Sequence, residues 1–129
     1  MKKKIIVIDD SATLRLQVKT RFEEEGYEVL EAADGMFGYD VIQENSDLKV
    51  IISDINMPGM DGITMLEEVK KNGLCPDAGI VVLTTETSER LKEKGKLAGV
   101  KVWFSKPLST DRLNILVELI AKLIKKLDK

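Results

Sequence analysis

At 129 residues the chain has the length of one domain, and a chain of this size buries about two thirds of its unfolded surface in a single core. Hydrophobic residues make up 43% and charged residues 33%, with a formal net charge of −2, which leaves no basic excess to hold nucleic acid or an anionic lipid surface. One cysteine and no histidine exclude an internal disulfide and a Cys/His zinc site, so any metal is held by oxygen.

The N-terminal Met1-Lys2-Lys3-Lys4 leads into an apolar run, and Lys4 to Asp9 reads as the first strand. Asp9 and Asp10 stop that run far short of a signal-peptide core or a membrane span, so a cytoplasmic protein without membrane contact is expected. Ser11 caps a helix from Ala12 to Glu25, with Leu14, Val18 and Phe22 on one face and Gly26 as its stop. Tyr27 to Ala32 is the second strand. Asp34 to Glu44 is the second helix, weakened by Gly35 and Gly38. Val50 to Asp54 is a third strand, followed by a helix from Gly62 to Lys71 that turns Leu66 and Val69 inward and ends at Asn72-Gly73. Gly79 to Thr84 is the fourth strand and Ser88 to Leu97 the fourth helix, which carries few apolar residues. Lys101 to Ser105 is the fifth strand. Asp111 to Leu127 bears the sustained stripe Leu113, Leu116, Val117, Ile120, Leu123, Ile124 and Leu127.

Five alternating strands and helices imply an α/β fold: an open parallel sheet with helices on both faces. Ligands of such sheets sit beyond the carboxyl ends of the strands. There the sequence puts Asp9-Asp10, Asp54, Thr84-Thr85 and Lys106-Pro107. Each alone has a plain structural use: a strand-end Asp forms turns or caps helices, Thr84 is a β-branched strand residue, and Lys106 is a solvated side chain. Together, three carboxylates at one edge repel one another, and a divalent cation relieves that repulsion. An open, all-oxygen site suits Mg²⁺, and the run after Asp54 lacks the calcium-loop pattern. A carboxylate nucleophile with Mg²⁺ and a lysine counter-charge is a phosphoryl-transfer site, with Asp54 as acceptor.

On these residues the chain resembles the receiver domain of two-component response regulators, over essentially its whole length from Lys4 to Leu127. The marks are Asp9-Asp10, the run Asp54-Ile55-Asn56-Met57-Pro58-Gly59 with Asp61-Gly62, Thr84 at the end of the fourth strand, and Lys106-Pro107 at fitting intervals. Thr84-Thr85-Glu86-Thr87-Ser88 and Gly95-Lys96-Leu97-Ala98-Gly99 with Trp103 are most similar to the stand-alone chemotaxis receivers of the CheY type. The resemblance implies a flavodoxin-like fold with strand order 2-1-3-4-5, and residues 1–129 are expected to form one receiver domain, a monomer without an output domain.

The resemblance also implies roles. Asp54 takes a phosphoryl group from the phosphohistidine of a sensor histidine kinase. Asp10, Asp54 and the Asn56 carbonyl bind Mg²⁺ directly, and Asp9 does so through water. Lys106 pairs with phosphoryl oxygens and Thr84 hydrogen-bonds one of them. Trp103 stands where the family's switch aromatic sits, usually as Tyr or Phe. Asn56 and Glu86 border the path of the hydrolytic water. The expected activity is that of a signalling switch rather than an enzyme, read out on the fourth helix, fifth strand and fifth helix, where Lys92, Lys96 and Lys101 lie. The partner is a flagellar motor switch protein or, in a relay, a histidine phosphotransfer protein, and a phosphate sink is a further role. A phosphohydrolase of the haloacid dehalogenase type fits less well, because Asn56 stands where that family has its acid Asp. A flavodoxin-like FMN site is opposed by Asp9-Asp10 in the phosphate loop. Met57, Met60 and Met65 read as packing, Cys75 as inert, and Lys122, Lys125, Lys126 and Lys129 as complements to a helix C-terminus.

Overall fold

The computed structural model describes residues 1–128; Lys129 of the basic tail lies outside them. The apolar runs form β1 (Lys4–Ile8), β2 (Glu28–Ala32), β3 (Leu48–Ser53), β4 (Gly79–Thr84) and β5 (Val100–Ser105). Between and after them lie α1 (Ala12–Glu24), α2 (Gly35–Glu44), α3 (Gly62–Lys71), α4 (Glu89–Leu97) and α5 (Thr110–Leu127). The strands are all parallel in the order β2-β1-β3-β4-β5, as expected.

Side chains alternate across this sheet and divide the core in two. Ile5, Val7, Val50, Ile52, Val81 and Leu83 face α1 and α5, meeting Val18, Phe22, Leu116 and Ile120. Ile6, Ile8, Ile51 and Val82 face the other side, meeting Ile42 of α2 and Ile63 and Leu66 of α3. α4 buries only Gly95 within its length, in keeping with its polar sequence.

The element boundaries differ from expectation where single contacts decide them. Asp9 and Asp54 each lie one residue beyond a strand, although their N–H groups still donate to Ala32 O at 3.1 Å and Ile8 O at 2.9 Å. β3 begins at Leu48 because Leu48 pairs with Lys4, a start hidden in the sequence by the polar Lys49. Tyr27 belongs to the end of α1 instead of β2. Gly26 takes φ +94°, its N–H donates to Glu23 O, and the Tyr27 N–H donates to Phe22 O, a Schellman close completed by the Tyr27 ring 5.5 Å from that of Phe22. Asp34, Ser88 and Ser109 are N-caps, so α2, α4 and α5 start at Gly35, Glu89 and Thr110.

Candidate functional site

Register brings the strand-end residues together. Ile8 pairs with Ser53, Ser53 with Val82 and Val82 with Trp103, so β1 and β3 end at one level while β4 and β5 run two residues further, and Asp9, Asp54 and Lys106 each follow one of these strand ends. The Lys106 N–H donates to Thr84 O at 3.0 Å and continues the β4–β5 ladder by one bond. Its ammonium reaches back across the strand ends and donates to Asp9 Oδ2 at 2.7 Å and to Asp54 Oδ2 at 2.8 Å. The lysine is therefore shared between two carboxylates, not reserved for Asp54.

Asp9, Asp10 and Asp54 each offer a carboxylate oxygen within 4.8 Å of the others. Asp9 is buried at 1% exposure, whereas Asp10 is exposed. Asp9 Oδ1 accepts from the Ser11 N–H at 2.9 Å, and Asp54 Oδ1 accepts from the Ile55 N–H at 2.7 Å. Burial pushes the Asp9 carboxyl above the ordinary carboxylate value despite its hydrogen bonds from Lys106 and Ser11. Burial alone would lower Lys106, but its hydrogen bonds to Asp54 and Asp9 outweigh this and raise it. The two shifts share a direction because the deeper partner loses more hydration than one ammonium returns.

Three hard oxygen donors of one charge, two of them paired with the single ammonium of Lys106, fit a divalent cation. The donor set is open where Asp10 is exposed. Asp61, the next acidic residue, caps α3 by accepting from the Thr64 N–H and hydroxyl, both at 2.9 Å, and the acidic cluster forms without it.

The loop after Asp54 folds back closely. A Cβ on Gly62 would collide with the Asp54 carbonyl oxygen, and the Gly62 N–H donates to Ile55 O at 2.8 Å. Gly35, which weakened α2 in the sequence, has the same kind of reason: its Cβ would strike Met60 O. Met57 and Met65 are buried packing residues and Met60 is half-buried. Cys75 is buried with Sγ 3.2 Å from Asn45 O, and burial raises its thiol, consistent with an inert residue.

The remaining expected residues line the β4 side. Thr84 is fully buried, with its hydroxyl accepting from the Glu86 N–H at 3.3 Å. Asn56 is exposed and its amide donates to Glu86 Oε1 at 2.7 Å, so these two side chains are joined. Trp103 is half-buried opposite Val82, donates its indole N–H to Glu86 O at 3.1 Å, and packs beneath Gly95 of α4. Lys92, Lys96 and Lys101 line a cavity beside Trp103. Sequence reading passed over Arg15, whose guanidinium donates to Asp9 O at 2.6 Å from one turn inside α1. Its only signal was a cation on the α1 turn that follows the acidic pair.

The response regulator receiver domain model matches residues 5–118. The chain is 33% identical over 118 residues to the chemotaxis protein CheY1 of Helicobacter pylori, covering 91% of this chain and 95% of that protein. It is 29% identical over 114 residues to the sporulation initiation phosphotransferase F of Bacillus subtilis, covering 88% and 89%. A CheY-like receiver domain structure from Methanospirillum hungatei superposes with a TM-score of 0.90 at 26% identity, covering 99% of this chain and 98% of that one.

Proposed function

Since the chain belongs to the response regulator receiver domain family, we propose that it is a phosphorylation-dependent switch in which Asp54 accepts a phosphoryl group from a sensor histidine kinase. The observation that carries this is the Lys106 ammonium held against Asp54 and Asp9 at the edge of an acidic cluster. An Asp54 carboxylate oxygen attacks phosphorus in line, a P–O bond forms as the P–N bond of the phosphohistidine breaks, and the departing imidazole takes a proton. Asp10, Asp54 and the Asn56 carbonyl would hold Mg²⁺ directly and Asp9 through water, where bound Mg²⁺ would supply neutralisation of charge on the phosphoryl oxygens. Lys106 then trades one carboxylate for a phosphoryl oxygen, and the Thr84 hydroxyl donates to another.

Drawing Thr84 toward the phosphate alters the Glu86 loop that its hydroxyl engages, and with it Trp103. This links the acceptor to the surface of α4, β5 and α5. The indole N–H is tied to Glu86 O, so the bulky ring moves with that loop rather than independently of it. Joined Asn56 and Glu86 stand at the hydrolytic side and orient the water that cleaves the acyl phosphate.

Similarity to the H. pylori chemotaxis protein supports a partner in the flagellar motor switch. A relay step through a histidine phosphotransfer protein is the second reading, favoured by the likeness to the B. subtilis phosphotransferase. The whole chain is read as a monomeric cytoplasmic receiver domain. Among the described residues no helix is long and apolar enough to cross a membrane.

The test is intact mass after incubation with acetyl phosphate and Mg²⁺. Wild type should gain one phosphoryl group and Asp54→Asn none. An adduct on the Asn variant would move the acceptor elsewhere.

A further inference from the structure

We propose that Arg15 is a positioning residue for the cation site, acting through the Asp9 carbonyl to aim the Asp10 carboxylate; this rests on the reading of the acidic cluster as a Mg²⁺ site. Asp9 is the first residue past β1, and its carbonyl is held from outside the sheet, by the Arg15 Nη1 at 2.6 Å. Asp9 is 1% exposed, so that carbonyl needs a protein donor. The peptide unit is planar, so fixing the Asp9 oxygen also fixes the Asp10 N–H and the direction in which the chain enters Asp10. The Asp10 side chain is exposed, and among the described residues none donates a hydrogen bond to it, so what the protein sets is the backbone from which its rotamers start.

Arg15 is itself held. Its Nε donates to Glu31 Oε1 at 3.2 Å, and Lys19 lies 3.6 Å from Glu31 Oε2. Glu31, shared with Lys19, offsets part of the guanidinium charge and so reduces, without cancelling, the electrostatic cost of a cation beside a cation site. The fork geometry matters: one edge reaches β2 while the other reaches the end of β1, a span that a lysine, with a single point charge, does not reproduce.

Positioning and simple charge make opposite demands, which the experiment separates. Mg²⁺ binding is measured by calorimetry on the full chain for wild type, Arg15→Lys and Arg15→Met, with thermal melts to verify folding. Positioning predicts weaker binding in both variants, about tenfold or more, the usual cost of removing a contact behind a metal ligand. A charge effect leaves Arg15→Lys at the wild-type affinity and tightens Arg15→Met, and either result overturns the proposal. Should Arg15→Met not fold, Arg15→Gln takes its place. Wild type that binds no Mg²⁺ removes the metal reading along with the proposal, whereas wild-type binding that both variants retain removes the role of Arg15 alone.

Discussion

Asp9, Asp10 and Asp54 crowd three carboxylates within 4.8 Å, and the residues differ in how that crowding is offset. Asp9 and Asp54 share Lys106, while Asp10 stands exposed at the rim with like charges for neighbours. Removing its charge relieves repulsion. Asp10→Asn should therefore raise stability in metal-free buffer by about 1 kcal/mol, the interaction of two unit charges at this separation in a water-like medium. Millimolar Mg²⁺ should stabilise wild type by binding the native state and leave the variant nearly unchanged. Urea unfolding with and without Mg²⁺ checks both parts. A variant less stable than wild type without metal would assign Asp10 a structural role.

At the scale of elements, the site depends on how tightly the β3–α3 loop returns to β3. Gly62 opens α3 directly against the Asp54 carbonyl, where backbone meets backbone and neither yields cheaply. Gly26 closes α1 at φ +94° with open space around it. The two glycines are needed for different reasons, and alanine separates them. Gly26→Ala should cost about 1 kcal/mol, the strain of a left-handed residue, with phosphorylation intact. Gly62→Ala should cost about 2–3 kcal/mol, in the range of overpacking, and also slow phosphorylation because it displaces Asp54. Urea midpoints and the rate of acetyl phosphate labelling measure the pair. Equal labelling rates would show that the loop tolerates displacement without moving Asp54, the proposed acceptor.

For the whole molecule, the Lys106 cluster makes stability depend on pH. Lys106 is pushed above its ordinary 10.5 because the hydrogen bonds to Asp54 and Asp9 outweigh its burial. The native state holds this proton more tightly than the unfolded chain, so its stabilisation is complete below pH 10.5 and is lost as pH rises through the higher native value. Asp9 is raised above 3.8 by burial, so the native state also favours its protonated form. Ionising Asp9 costs stability, a cost absent below pH 3.8 and complete once pH passes the native value. Lys106→Met strands both carboxylates and should cost about 3 kcal/mol at neutral pH, the lower end for a broken buried pair because the crevice is open. The difference from wild type should shrink in acid, where Asp9 takes a proton, and again above pH 10.5. Urea unfolding across pH measures this, and a difference independent of pH would mean that Lys106 acts through packing of its stem.

Elements and site candidates were legible because both follow from local pattern. Runs such as Ile5 to Ile8 and Val50 to Ser53, the cap Ser11, and the stripe of α5 are short-range consequences of periodicity and backbone chemistry. The parallel sheet then puts Asp9, Asp54, Thr84 and Lys106 at one edge, since each follows or ends a strand. Partners across the edge were not legible, because they depend on register and rotamers set by distant packing. Tertiary structure alone decided that Lys106 bridges Asp9 as well as Asp54, that Asn56 meets Glu86, and that the Trp103 indole is bound to Glu86 O. It also explained Gly35 and Gly62, costly in a helix by local propensity and required because backbone atoms from another loop or strand end fill the space where a Cβ would stand. Arg15 shows the same division most plainly: nothing in a single sequence separates a surface arginine on α1 from one aimed at the carbonyl of Asp9, until the turn of the helix onto the end of β1 makes the contact.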